Sequence, residues 1–266
     1  MRTIRRHPPV TRGHGTTTTA TRPASSRVRP PAPIAAAATR GHSQAAPPAR
    51  PQPSAPLPLK VYSPADATVL RAVLDGRYEA PGLEFEPPPI ILDIGAHVGA
   101  ASVWFSERYM RCTVHAYEPH PQSVAAFLAN TVETAVREIT LHPVAVVGSK
   151  WGPTTTLFEA RVGSTDHAIY NLGDQKTTGI AVRTMKASDL PVADILKISA
   201  PGCEIEILED YPHIGEAQAV LLDCHQPADC EKLISWLSSR GLTLCKDESR
   251  SAPHAVRTLL FVREHD

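Results

Sequence analysis

Residues 90–99 read Ile-Ile-Leu-Asp-Ile-Gly-Ala-His-Val-Gly, and no other stretch narrows the choice of fold so far. The aliphatic run from Ile90 to Ile94 suits a strand buried on both faces, as in a parallel sheet. Gly95 and Gly99 follow, and then an amphipathic stretch from Ala100 to Tyr109. Strand, tight turn and helix make a βα unit. Gly95 lets the chain turn sharply without a Cβ clash, and Gly99 permits close approach at the start of the helix. A carboxylate at the buried end of a strand costs free energy unless it is paired or bonds a ligand. Asp93 therefore marks a site.

The spacing also bears on the ligand. A dinucleotide fingerprint is Gly-x-Gly-x-x-Gly. Here it is Asp93-x-Gly95-Ala96-His97-x-Gly99, with His97 where the second glycine of that fingerprint falls. A side chain there obstructs a pyrophosphate, and Asp93 repels one. Both features suit a cationic ligand without phosphate, and S-adenosylmethionine is the common one. Glu118 closes a second strand, Thr113 to Tyr117, where a carboxylate can take both ribose hydroxyls. The plainer reading makes the two glycines a tight turn and Glu118 a solvated loop acid. The combination at this spacing favours the cofactor site.

Charge is distributed unevenly. Residues 1–65 contain no Asp or Glu, nine Arg, one Lys and thirteen of the 26 prolines. Such a segment buries too little apolar surface to offset the entropy of ordering it, so residues 1–58 are expected to be disordered. The other 201 residues hold 17 of the 27 Lys and Arg and all the Asp and Glu, so the neutral total hides a basic tail on an acidic domain. Residues 59–266 are long enough for one domain with an ample core. The tail reads first as an extension without function and second as a transit peptide. Its prolines oppose the helix a transit peptide needs. Its basic residues are too dispersed for a nucleic-acid arm. No apolar run marks a signal peptide or a membrane span. The expected location is cytoplasmic, or organellar if the tail is a transit peptide. The five cysteines, 112, 203, 224, 230 and 245, show no Cys-x-x-Cys pair and read as reduced thiols. Cys224, His225 and Cys230 lack a second ligand pair, so no metal site is expected.

From residue 59 on, helical and strand patterns alternate. Ser63 can cap a first helix that buries Val69, Leu70, Val73 and Leu74. A helix from Pro121 has Val124, Phe127, Leu128 and Val132 turned inward. Residues 139–147 read as one strand, and 154–158 with 180–185 as a hairpin-like excursion. Short apolar strands at 195–198 and 219–223 each precede a helix. The chain closes with strands at 242–245 and 258–262, joined by a loop without helical pattern. The whole predicts an α/β, doubly wound, mostly parallel sheet whose last strand is antiparallel.

These residues carry a resemblance. Asp93-Ile-Gly-Ala-His-Val-Gly99, Ala116-Tyr-Glu-Pro-His-Pro121, Leu128-x-Asn130, Leu196-Lys-Ile198, Gly202-x-Glu204 and Asp223-x-His225 occur in the order found in FkbM-type methyltransferases. The resemblance implies a seven-stranded Rossmann-like sheet with the last strand antiparallel, S-adenosylmethionine as cofactor, and O-methylation of a small-molecule or sugar hydroxyl. It implies that Asp93, Gly95, Ala96, His97 and Gly99 line the methionine end of the cofactor, that Glu118 holds the ribose, and that Ala145 lies against the adenine. It departs at three places. His97 replaces the usual Asn. Ser199, at a cofactor-side position, and Pro201 replace two acids close to the reaction centre. The last two departures leave open a homologue that binds cofactor and turns over poorly. A NAD-dependent oxidoreductase is the remaining alternative.

Methyl transfer needs alignment, exclusion of water and, for a hydroxyl acceptor, a general base. His225 is the first candidate, with Asp223 to orient it, and His97 is the second.

Overall fold

The computed structural model describes residues 59–61, 63–80, 82–133, 138–159, 167–169, 179–249 and 256–264. The tail expected at 1–58 lies outside the described residues. Seven strands form the main sheet: β1 (Ile90–Ile94), β2 (Thr113–Tyr117), β3 (Ile139–His142), β8 (Ile195–Ile198), β9 (Ala219–Cys224), β10 (Leu242–Ser249) and β11 (Arg257–Arg263). Their order is β10-β11-β9-β8-β1-β2-β3. The pairs β1–β2, β2–β3, β1–β8 and β8–β9 are parallel. β11 is antiparallel to both its neighbours, β9 and β10. This is the expected doubly wound sheet with an antiparallel final strand. The chain runs outward from β1 to β3 and then returns to start β8 on β1's other side. The switch point therefore lies between β1 and β8, where a crevice opens beyond the strands' carboxyl ends.

The strands are apolar on both faces because helices cover both. In β1, Ile91 joins one core cluster, while Leu92 and Ile94 join the other. Helices α1 (Pro64–Leu74) and α2 (Ala100–Arg108) supply the first cluster. Helices α4 (Glu204–Asp210) and α5 (Pro227–Ser238) supply the second. Ser63 caps α1 as expected, its hydroxyl accepting from the Asp66 N–H at 3.1 Å. Among the described residues, no helix is long and apolar enough to cross a membrane.

Two sequence expectations need correction. In α3 (Pro121–Glu133), Leu128 and Val132 are exposed. The inward stripe is Ser123, Ala126, Phe127 and Asn130, spaced i, i+3, i+4, i+7. The polar Asn130 sits on that stripe because it has bonds to make: its amide donates to the Val98 carbonyl at 2.9 Å, and its oxygen accepts from the Lys60 N–H at 2.7 Å. Residues 139–147 are also not one strand. They break at Pro143 into β3 and β4 (Ala145–Val147), and β4 leaves the main sheet to pair in parallel with β7 (Gly179–Lys186). With β5 (Thr154–Glu159) and β6 (His167–Ala168) they make a second sheet, ordered β4-β7-β5-β6. The antiparallel β5–β7 pair is the expected excursion.

Candidate functional site

At the switch point the chain leaves β1 through Gly95, at φ +74°. The N–H groups of Gly95 and Ala96 both donate to the Tyr117 carbonyl, at 2.9 and 3.0 Å, tying the turn to the end of β2. A Cβ built on Gly95 would lie 2.0 Å from the Ser199 carbonyl oxygen, so the ends of β1 and β8 meet here backbone to backbone. His97 also has a left-handed backbone, φ 51°, a region that His and Asn enter more readily than most residues. Gly99, φ +88°, starts α2 against the ring of Phe127.

An open cleft of about 460 Å³ lies beyond these strand ends. Four sequence-predicted residues line it together: Gly95, Glu118, Ala145 and Ser199. Pro201 and Cys203 continue the β8 side, and Leu157 of β5, Ala168 of β6 and the adjoining Ile169 form another wall. Glu118 is 5% exposed, and its two carboxylate oxygens accept from the N–H groups of His97 and His120, each at 2.8 Å. Burial pushes its carboxyl up to about 7, against the pull of those two N–H donors. Each oxygen keeps a further lone pair for a hydroxyl in the cleft.

The other expected cofactor residues stand outside this lining. Ala96 is buried against Ala116 and Phe127. The His97 ring turns to α1, its Nε2 3.3 Å from Asp66 Oδ1. Burial lowers the pKa of that imidazolium, and Asp66 opposes the shift. Asp93 is fully buried behind the turn. Ser102 Oγ donates to its Oδ2 at 2.6 Å, and Lys197 Nζ stands 2.9 Å from Oδ1 in an ion pair off the hydrogen-bonding direction. Asp93, expected to line the methionine end of the cofactor, is paired with Lys197 and is not among the residues lining the cleft. The same ammonium donates to the carbonyl of Gly95 at 2.6 Å and lies 5.8 Å from the centroid of the Tyr78 ring.

Asp223 is likewise reassigned. It does not bond His225. Arg77 Nε donates to its Oδ1 at 3.0 Å, Tyr78 OH to Oδ2 at 2.7 Å, and Thr258 Oγ1 to Oδ1 at 3.0 Å. Burial alone would raise this carboxyl, but Arg77, His225 and Lys197 together bring it down to about 2. The acid that meets His225 is Glu204, whose Oε1 is 2.7 Å from His225 Nδ1. Its Oε2 accepts from the Gly202 N–H at 2.9 Å. Neither Glu204 nor His225 lines the cleft, although Glu204 follows the lining residue Cys203 in sequence.

Lys197, Arg77, Tyr78 and the partnership of Glu204 with His225 were not identified from sequence. One signal was present: a lysine inside Ile-Leu-Lys-Ile implies a buried charge, and a buried charge implies a carboxylate beside it. A second correction concerns the thiols. Cys224 and Cys230 form a disulfide, while Cys112, Cys203 and Cys245 are free.

No protein-family model matches the chain. It is 31% identical over 94 residues to the 31-O-demethyl-FK506 methyltransferase FkbM of Streptomyces tacrolimicus, an alignment covering 30% of this chain and 36% of that protein. The chain thus matches about a third of that relative's length. Among solved structures it is similar to a precorrin-6y C5,15-methyltransferase from Geobacter metallireducens (TM-score 0.41, 16% identity, 66% of this chain and 81% of that one). It is also similar to magnesium protoporphyrin IX methyltransferase from Synechocystis with bound S-adenosylmethionine (TM-score 0.40, 14% identity, 75% and 78%). A third is M. capricolum TrmK with S-adenosylhomocysteine (TM-score 0.42, 12% identity, 66% and 62%).

Proposed function

We propose that residues 59–266 form an S-adenosylmethionine-dependent methyltransferase domain that methylates a hydroxyl of a small molecule or sugar. The observation that carries this reading is Glu118. It is a buried carboxylate facing the crevice at the switch point of a sheet whose last strand is antiparallel, an order that differs from the all-parallel dinucleotide arrangement. The partial match to an O-methyltransferase of a small molecule supports the same class of acceptor.

The cleft's residues fit the cofactor. Glu118 can accept from both ribose hydroxyls, Ala145, Val144 and Pro119 offer an apolar wall to the adenine, and the turn at Gly95 and Ser199 borders the methionine end. Bound there, the cofactor would supply an activated methyl group for transfer to the acceptor oxygen. The chain's own task is to align the acceptor, exclude water and take the acceptor's proton. His225 is the base in this reading. Glu204 holds its Nδ1–H, which leaves Nε2 as the accepting nitrogen and stabilises the imidazolium that forms. Asp93, His97 and Asp223 keep the turn and the strand ends in place. Ser199 and Pro201 favour one second reading, cofactor binding with slow turnover, because neither supplies the charge of the acids found there in the resembling family.

Binding tests the proposal first. Purified protein should carry S-adenosylmethionine or S-adenosylhomocysteine detectable by mass spectrometry, and should bind S-adenosylhomocysteine but not NAD in calorimetry. Deleting residues 1–58 should change neither that affinity nor the melting temperature. Binding of NAD alone would overturn the reading.

Glu118 makes a pH-dependent prediction. Between its ordinary value of 4.5 and about 7, the folded chain holds a proton that the unfolded chain has released. Stability of the free protein therefore falls as pH rises through that window. Ribose hydroxyls donate to the ionised form, so binding should release a proton near pH 6.5. Calorimetry of S-adenosylhomocysteine in two buffers of different ionisation enthalpy reads that proton. In Glu118→Gln the release should vanish and affinity should fall roughly 10- to 100-fold. Equal heats in both buffers for the wild type would remove Glu118 from the ribose.

A further inference from the structure

The Cys224–Cys230 bridge closes a ring around the segment that carries His225. Cys224 is the last residue of β9, and Cys230 lies in the first turn and a half of α5. His225 and Gln226 fall inside the ring, and His225 there meets Glu204. The other cysteines have no such placement. Burial pushes the Cys112 thiol up to about 11 and raises those of Cys203 and Cys245, which makes them poor nucleophiles.

We propose that Cys224 and Cys230 are a reversible thiol–disulfide site that staples the His225 segment when oxidised and frees it when reduced. Two observations support reversibility, and a third sets its rate. Both sulfurs reach the Gln226 carbonyl, at 3.3 Å from Cys224 and 3.5 Å from Cys230, so each thiol has an acceptor once the bond is open and the reduced form keeps its fold. Gln226 begins α5 without a side-chain capping bond, so the turn above the pair is a low-cost place to open. Both sulfurs are buried, at 1% and 0% exposure, so exchange must pass through that opening and is slow.

The chemistry balances with a small-molecule disulfide such as oxidised glutathione. One cysteine thiolate attacks it, expelling one glutathione thiolate and leaving a mixed disulfide. The second cysteine thiolate attacks the protein sulfur of that bond and expels the other glutathione. Two protein thiols are oxidised, one external disulfide is reduced to two glutathione thiols, and the two protons the cysteines release end on the two expelled glutathione thiolates. Control over methyl transfer rests on the reading of His225 given above, whereas the redox site itself does not.

The full chain tests this directly. After incubation with oxidised glutathione, protein denatured in iodoacetamide should carry three labels, on Cys112, Cys203 and Cys245. After dithiothreitol it should carry five. The oxidised form should melt on the order of 5 °C higher, and amides of residues 225–229 should exchange more slowly in it. Cys230→Ser should give the reduced behaviour in either buffer, and wild type compared with and without dithiothreitol covers the case in which that variant fails to fold. Five labels in the oxidising buffer, or equal melting and equal exchange in the two states, would overturn the proposal. If the labels and exchange follow the expectation but S-adenosylhomocysteine does not bind, the redox site stands and the methyltransferase reading falls.

Discussion

Gly95→Val should abolish S-adenosylhomocysteine binding and remove most of the protein from the soluble folded fraction. Two costs add. A β-branched residue at φ +74° is strained, by about 1–2 kcal/mol or more. Its Cβ must also occupy a point 2.0 Å from the Ser199 carbonyl oxygen, which is backbone and cannot rotate aside. Relief requires β1 and β8 to part at the switch point. That would pull the Gly95 and Ala96 N–H groups from Tyr117 and the Gly95 carbonyl from Lys197. Gly82→Ala is the control, since Gly82 has φ +79° with nothing within 4 Å of its added Cβ. It should cost only the backbone strain. Thermal melting and calorimetry of both variants separate the two costs. A Gly95→Val protein that melts and binds like Gly82→Ala would show that the ends of β1 and β8 are not held together.

Asp223→Ala should destabilise the domain by about 3–5 kcal/mol, the usual cost of leaving one member of a buried ion pair alone. Arg77 would keep a buried charge without its carboxylate, and Tyr78 and Thr258 would lose an acceptor. The pH dependence has a definite sign. The carboxyl is depressed from 3.8 to about 2 in the folded chain, so its contribution is complete above about 3.8 and is lost as pH falls through about 2. Urea unfolding at pH 7 and pH 2 should therefore show a large gap between wild type and variant at the higher pH and a narrower one at the lower. If the variant matched wild type in stability but altered the titration of His225, Asp223 would be the orienting residue expected from sequence, and its assignment to Arg77 would be wrong.

The parts of this molecule legible in the sequence are those encoded by neighbours along the chain. The turn at Gly95 follows from an apolar run, two glycines and the start of a helix, all within about ten residues. The parallel sheet follows from alternation of elements, and the antiparallel end from the missing helix between the last two strands. What escaped depends on strand order. Asp93 and Lys197 are register partners across β1 and β8, although 104 positions separate them in the chain. Asp223 continues the same sheet face, and Arg77 and Tyr78 reach it from the loop after α1. An acid read without its partner looks like a ligand group, which is why Asp93 was expected at the cofactor and Asp223 beside the candidate base. Leu128 and Val132 misled for a different reason. Side-chain apolarity outweighed the period, whereas the helix turns Asn130 inward because two backbone groups need it. A spacing of six between Cys224 and Cys230 is not diagnostic either, since only the turn between β9 and α5 folds the two sulfurs together.

The second sheet has a consequence of its own. Leu157 and Ala168, with Ile169 just after β6, reach the cleft from strands whose hydrogen bonds close within β4, β5, β6 and β7, while Gly95, Glu118 and Ser199 stand just past the strand ends of the main sheet. The cleft has a fixed floor and an exchangeable wall. Changes of side-chain size on the wall alter the shape offered to an incoming molecule, while the hydrogen bonds that align β1 with β8 lie in the other sheet. The shape of the cleft and the alignment of the strand ends that border it are thus set by two separate ladders.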